Sequence, residues 1–259
     1  MTAPGCHPTS HSFVMQRATS TTSSSLLSGS DQLSTTCDVV GTLSGHPTLL
    51  FFGNNPAGHA AIPSTLSGTV RLGFPGIGGS LCAGTVHYVR IPQQPTALES
   101  GASQTLDQVA GALLSRGFAV ERVADMDGWL LYHAVFVASV ATALYRCGTD
   151  AARLADDRET LTLMCRAVSE GFAALRHQHV RGLPRNLALL HRSLLRPFAV
   201  RYWARTMRSP MGELCFAAHT RHAEPERQTL GDAVIARVGQ SPGTQHLHRL
   251  LDQRPRMPK

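Results

Sequence analysis

A largely apolar segment of about twenty residues, Met126 to Tyr145, restricts what this chain can fold into more than any other feature. Its length and composition predict a helix that is buried on most of its surface, so the rest of the chain must supply packing partners around it. The segment is not a continuous run of the ~18 to 20 apolar residues that span a bilayer. We therefore expect a core helix, and no membrane partner.

The segments on the two sides of this helix follow different patterns. Before it, short apolar runs alternate with turn sequences and one helical pattern, which predicts strands at 48–52, 69–74, 84–91 and 118–123 and a helix at 106–115. After it the periodicity is helical, which predicts helices at 150–176, 186–210, 222–238 and 243–252, with a break at 182–184. This order indicates an α/β part followed by an all-α part.

The ends of the chain and its cysteines narrow the class of protein. Residues 1–36 are rich in Ser and Thr and lack apolar periodicity, which predicts a disordered leader, and residues 254–259 form a tail. The first thirty residues lack the basic start and the apolar core that are typical of a secretion signal, so we expect a cytoplasmic location. The six cysteines form no CxxC pair and no cysteine–histidine spacing typical of zinc, which predicts free thiols and no metal site.

Arginine supplies almost all of the positive charge. The net charge is +7, and 15 of the 24 basic residues lie after position 175, where only five acidic residues occur. Such asymmetry indicates either a nucleic-acid or phosphate-binding face or a set of solvated helix faces. Because the arginines are spaced through helical patterns, we favour solvated faces and do not expect a nucleic-acid partner.

Two glycine-containing segments suggest nucleotide binding. Gly76-Ile77-Gly78-Gly79 matches half of GxGxxG, but a strand is predicted to follow it, whereas a pyrophosphate needs a helix N-terminus behind the glycines. We therefore predict a tight turn between strands there. Asn54, Asn55 and Gly58 follow the end of a predicted parallel strand, where open α/β sheets bind ligands, although a simple turn also explains them.

Six segments occur together in one order along the chain: Asp31–Leu33, Leu49–Gly58, Gly73–Gly79, Asp125–Trp129, Gly182–Pro184, and Met207–Ser209 with the region up to Glu226. This set resembles the ketopantoate reductase (2-dehydropantoate 2-reductase) family, over about 220 residues from Asp31 onward. The resemblance implies a partial Rossmann domain for NADPH at 37–124, followed by an all-helical domain at 125–253. It also implies NADPH-dependent reduction of a 2-oxoacid such as 2-dehydropantoate, a place in pantothenate biosynthesis, and a homodimer.

The sequence departs from the family pattern at two places. The opening strand with GxGxxG is absent, so we expect a truncated or divergent member in which NADP(H) binds weakly; a gene model with an incorrect start would give the same pattern. The family's catalytic lysine, two residues after a tryptophan, corresponds to Leu131, and its asparagine corresponds to Val135. The single lysine of the chain is Lys259.

The resemblance and the helical spacing still assign candidate site residues. Asn54 matches an asparagine near the nicotinamide and the substrate carbonyl, and Asn54, Asn55 and Gly58 are the cofactor-binding candidates. His133 follows Trp129 by four positions on the same helix face, so it is the candidate proton donor, with a packing role as the alternative. Ser209 and Glu226 fall near substrate-contacting residues, and for Glu226 a solvated carboxylate early in a helix explains the sequence equally well.

Two further classes of function stay open beside the reductase. The chain is alternatively a non-catalytic member of the family that serves as a dimerisation or partner-binding module. Binding of nucleic acid through the arginine-rich half is the third class, and it predicts a steep dependence of affinity on salt concentration.

Overall fold

The structure, a computed structural model, describes residues 12–15, 24–27, 48–66, 68–82, 85–222 and 224–252. For residues 12–15, 24–27, 80–82, 85–87, 219, 222 and 224–226 it describes the backbone alone. The chain divides into two units, residues 1–131 and 132–259. Residues 12–15 and 24–27 of the predicted leader form strands, so the disorder predicted for 1–36 is wrong for these two segments. The rest of the leader and the tail at 254–259 lie outside the described residues.

Strands dominate the first unit. In chain order they are β1 (Ser12–Met15), β2 (Ser24–Leu27), β3 (Thr48–Phe52), β4 (Thr69–Phe74), β5 (Ile77–Cys82), β6 (Thr85–Arg90), β7 (Thr96–Glu99) and β8 (Val120–Val123). Six of them form one sheet in the order β2-β1-β3-β4-β7-β8, and β5 pairs with β6 in a separate antiparallel hairpin. In the main sheet β3–β4 and β7–β8 are parallel, whereas β4–β7 is antiparallel.

Both faces of β3 are buried, as its unbroken apolar sequence predicts for a strand of a covered sheet. Because side chains alternate across a strand, Leu49 and Phe51 pack on one face with Met126, Trp129 and Leu130 from the start of the long helix. On the other face lie Leu50 and Phe52, packed with residues of helix α1 (Gln104–Ser115). The first unit is therefore a sheet with a helix on each face.

The glycine-rich segment after β4 differs in extent from its prediction. The strand predicted at 84–91 is β6, but Gly78 and Gly79 lie inside β5, a strand that the sequence did not predict, and the connection after β4 consists of Pro75 and Gly76. The predicted tight turn over 76–79 is thus too long. Strand β7 was not predicted at all, because its four residues Thr-Ala-Leu-Glu carry neither alternation nor β-branched enrichment.

Helices make up the described part of the second unit. They are α2 (Met126–Arg146, shared with the first unit), α3 (Ala151–Asp156), α4 (Arg158–His177), α5 (Arg185–Leu190), α6 (Arg196–Met207), α7 (Ala218–His222), α8 (Glu224–Val238) and α9 (Gln245–Leu251). A π-helix at Gly212–Ala217 precedes α7. The predicted helix at 150–176 is interrupted at Asp157, whose carboxylate accepts the Thr160 amide at 2.9 Å and so caps a new helix. The α/β part followed by an all-α part is confirmed.

The long helix α2 runs from Met126 to Arg146, one residue beyond the predicted segment. Among the described helices it is the one with the length and composition to cross a membrane, and 83% of its most apolar window is buried within the protein. A core helix meets the same criteria of length and composition. The burial agrees with the predicted role of this segment as a core helix.

Candidate functional site

The turn that follows β3 is tied together by its own polar groups. The Asn55 side-chain amide donates to the Gly58 carbonyl at 2.7 Å, and the Gly58 amide donates to the Asn55 carbonyl at 3.1 Å. Gly58 has a φ of +58°, which favours glycine. A Cβ at this position would meet the Asp127 carboxylate oxygen at 2.0 Å. The turn therefore requires glycine for its backbone conformation and for its close approach to Asp127.

Asn54, in the same turn, has a side-chain oxygen that can still accept a hydrogen bond. Its Oδ1 atom is buried and has no hydrogen-bond partner among the residues that the structure describes. An unsatisfied buried amide oxygen costs about 1 to 3 kcal/mol, so its presence calls for an explanation such as a ligand. Asn54 lies two residues after the end of β3. This is the carboxyl end of a strand in a parallel pair, where ligands of α/β sheets bind.

The backbone amides of Gly58, His59 and Ala60, at the end of this turn, are already engaged. The Gly58 amide donates to Asn55, and the Ala60 amide donates to Ala57 at 3.1 Å. The His59 amide donates to the Asp127 carboxylate at 2.8 Å. These amides cannot also hold a phosphate in the manner of a glycine-rich loop. A cofactor role for Asn55 and Gly58 would thus be to shape the turn that carries Asn54.

A histidine flanked by two carboxylates lies beside this turn, and the sequence did not reveal it. The His59 Nδ1 atom is 2.8 Å from Asp127 Oδ1, and its Nε2 atom is 3.3 Å from Glu99 Oε2. His59 and Asp127 are 68 positions apart in sequence, so no motif links them. The cluster connects the turn after β3, strand β7 and the N-terminus of α2.

Glu99 is the best-buried carboxylate of this cluster, with a side chain that is 14% exposed. Besides His59, two residues of β4 contact this carboxylate. The Leu72 amide donates to Oε2 at 2.9 Å, and the Arg71 guanidinium lies 3.4 Å from Oε1. Every carboxylate oxygen of Glu99 thus has a partner within the sheet or at His59. This arrangement fixes geometry and leaves Glu99 little capacity to act as a catalytic base.

The candidate proton donor His133 is buried in α2, at 4% exposure. Burial lowers the pKa of His133 to about 3. The ring is therefore neutral at physiological pH, and a proton could come only from a neutral imidazole N–H. Leu131 and Val135, which the sequence resemblance aligns with the family's lysine and asparagine, are buried apolar side chains that cannot transfer a proton.

Ser209 and Glu226 occupy different local settings in the second unit. The Ser209 hydroxyl donates to the Thr206 carbonyl at 2.6 Å at the end of α6, so its lone pairs, and not its proton, are open to a ligand. Glu226 lies in the first turn of α8, and its side chain lies outside the described residues. Asn54, Asn55 and Gly58 belong to the first unit, and His133, Ser209 and Glu226 to the second. No group of three or more potential metal ligands occurs among the described residues.

Comparison with solved structures identifies two proteins of the same fold, both from Staphylococcus aureus. One is a candidate 2-dehydropantoate 2-reductase, with a TM-score of 0.55 and 11% sequence identity over 94% of this chain and 86% of that protein. The other is a ketopantoate reductase described as dimeric and kinetically cooperative, with the same TM-score and identity over 94% and 87%. No family model and no curated protein matches the sequence. The chain therefore has a ketopantoate reductase-like fold.

Proposed function

We propose that this chain is a ketopantoate reductase-like oxidoreductase that reduces a small 2-oxoacid, of the 2-dehydropantoate kind, with NADPH. The observation that carries the proposal is the fold likeness to reductases of this class over 94% of the chain. A fold supports many chemistries, so the residues must supply the rest of the argument.

Asn54 is proposed to orient the substrate carbonyl and the nicotinamide. Its buried Oδ1 atom can accept one hydrogen bond from a ligand while its Nδ2 atom donates to a carbonyl oxygen. His133 is proposed to donate a proton as neutral imidazole, as its lowered pKa requires. Ser209 and Glu226 are proposed to contact the substrate, Ser209 through its acceptor lone pairs and Glu226 through a substrate hydroxyl.

NADPH binding is expected to be weak. The glycines at 76–79 lie in a connection and a strand, and the amides at Gly58 and His59 are already bonded, so no aligned set of helix N-terminal amides faces a pyrophosphate there. A homodimer is proposed from the dimeric neighbour, and a cytoplasmic location accompanies a pantothenate-related role.

The test is NADPH oxidation, followed at 340 nm, by the full chain with 2-dehydropantoate as substrate. We expect turnover, and we expect Asn54→Asp to lower kcat/KM about 100-fold because it removes the one amide donor while keeping the shape. The exposed Gln104→Ala serves as the control and should leave the rate unchanged. Absence of turnover in the wild type, together with a stable dimer, would support the non-catalytic interpretation instead.

A further inference from the structure

Four large apolar side chains of the second unit are exposed within ten residues of sequence. Their exposed fractions are 55% for Leu189, 92% for Leu194, 37% for Leu195 and 60% for Phe198. Single exposed apolar residues are common on protein surfaces, whereas several of them close in sequence, on two helices that contact each other, are typical of an interaction site. The group is not part of the candidate site described above.

Two short helices and the turn between them carry these side chains. Helices α5 and α6 contact each other and are joined by a 3₁₀ turn at Ser193–Leu195, which carries Leu194. A side chain that is 92% exposed stands out from the fold and does not line a groove. This degree of exposure fits a partner that is soft or planar better than a helix that needs a groove.

Exposed arginines flank the apolar group on both helices. Arg185 and Leu189 are exposed on α5, and Arg192 is exposed just after that helix. On α6 the exposed side chains of Phe198, Arg201 and Arg205 follow one another at helical spacing, so they share one face. Residues 171–212 contain no aspartate or glutamate. Arg185, Arg192, Arg201 and Arg205 form no ion pair with any acidic group among the described residues. We call these four arginines, together with Leu189, Leu194, Leu195 and Phe198, the basic apolar surface.

We propose that the basic apolar surface docks the protein onto an anionic lipid membrane. Protruding Leu and Phe side chains surrounded by arginines are what peripheral attachment requires, because the apolar groups enter the interface while the guanidinium groups meet lipid phosphates. This proposal departs from the expectation of no membrane partner, which considered only segments long enough to span a bilayer and not a peripheral contact.

Charge argues against two other occupants. A symmetric contact with a second copy would bring unpaired arginines of both copies together, which is unfavourable. A nucleic acid would satisfy the arginines but would leave four apolar side chains without a contact. An anionic membrane satisfies both the arginines and the apolar side chains at once. The proposal does not depend on reductase activity.

The test is co-sedimentation of the full chain with vesicles of phosphatidylcholine containing 30% phosphatidylglycerol, compared with pure phosphatidylcholine. We expect binding to the anionic vesicles alone and a decrease at high salt. Each arginine contributes about fivefold to the partition coefficient, so Arg201→Gln/Arg205→Gln should lower it roughly 25-fold. Leu194→Ser/Phe198→Ser should lower it by at least a similar factor, because the buried apolar area is lost.

The matched control is Arg153→Gln/Arg158→Gln, which removes the same charge from exposed positions outside the surface and should bind nearly as well as the wild type. A second readout is Leu194→Trp, whose emission should shift to the blue on anionic vesicles. Equal loss with the control variant would overturn the proposal. A lack of binding to the anionic vesicles would also overturn it. Salt-sensitive binding to duplex DNA would then indicate a nucleic-acid partner, and a dimer that Leu194→Ser/Phe198→Ser converts to a monomer would indicate a second copy.

Discussion

His191 shows how burial changes the chemistry of a single residue. Its ring stacks on Trp203 with a centroid distance of 6.2 Å, within a cluster of aromatic side chains from α2, α4 and α6. Neither ring nitrogen makes a hydrogen bond of normal geometry to another described residue. Burial lowers the pKa of His191 to about 4, against a smaller opposing effect from the backbone of Cys165. His191 therefore acts as a neutral packing residue, which its sequence context does not distinguish from a catalytic histidine.

The lowered pKa values of His191 and His133 predict a stability that depends on pH. Because both folded-state values lie below the ordinary value of 6.5, the stabilisation is fully present above pH 6.5 and is lost as the pH falls toward 4. His191→Phe keeps the ring packing and should reduce the loss of unfolding free energy between pH 7 and pH 4.5 by about 2 to 3 kcal/mol. Urea unfolding of the wild type and the variant at both pH values measures this change in unfolding free energy.

The control for this prediction is His177→Gln, which changes an exposed histidine of the same unit. Its unfolding free energy should follow the wild-type dependence on pH. If His191→Phe also kept the full wild-type dependence of unfolding free energy on pH, the proposal that wild-type His191 is buried as a neutral imidazole would be contradicted.

At the scale of elements, the sequence predicts those whose signal is local. Strand β3 and the core helix α2 follow from apolar pattern alone, and the start of α4 at Asp157 carries a recognisable capping residue. Strand β7 was missed because pairing with β4 and β8, and not its own composition, makes it a strand. The His59 cluster was missed for the same reason, since its members meet only after folding.

The contact between α2 and α4 provides a prediction at this scale. A Cβ on Gly171 would approach Val135 Cγ1 to 2.5 Å, so the two helices pack closely at a buried glycine. Gly171→Ala should lower the unfolding free energy by about 1 to 3 kcal/mol through overpacking. In the double variant Gly171→Ala/Val135→Ala, the smaller side chain at position 135 leaves room for the new methyl group. The loss of unfolding free energy should therefore be smaller, by at least about 1 kcal/mol, than the sum of the losses in the two single variants. Chemical denaturation of the four proteins measures this coupling.

Gly231→Ala is the matched control, because a Cβ at this position of helix α8 would meet nothing within 4 Å. It should stabilise the protein by about 0.5 to 1 kcal/mol, since alanine has the higher helix propensity. If Gly171→Ala and Gly231→Ala lowered the unfolding free energy by similar amounts, the loss would come from the helix backbone and not from contact with Val135.

For the whole molecule, the fold is more tolerant of sequence change than the chemistry. At 11% identity the chain still matches the reductase fold over 94% of its length, because strands and helices need only the right pattern of apolar residues. Leu131 and Val135, which the sequence resemblance aligns with the family's lysine and asparagine, are packed as core residues. The fold class could therefore be predicted from the sequence, whereas cofactor use and turnover stay as proposals.

Titration of the purified full chain with NADPH, followed by the fluorescence of the nicotinamide, tests whether this protein is a reductase. We expect saturable binding that reaches completion only at high cofactor concentration, and weakening of that binding by Asn54→Ala. A linear signal without saturation at millimolar NADPH would contradict the proposal that this fold still serves a reductase.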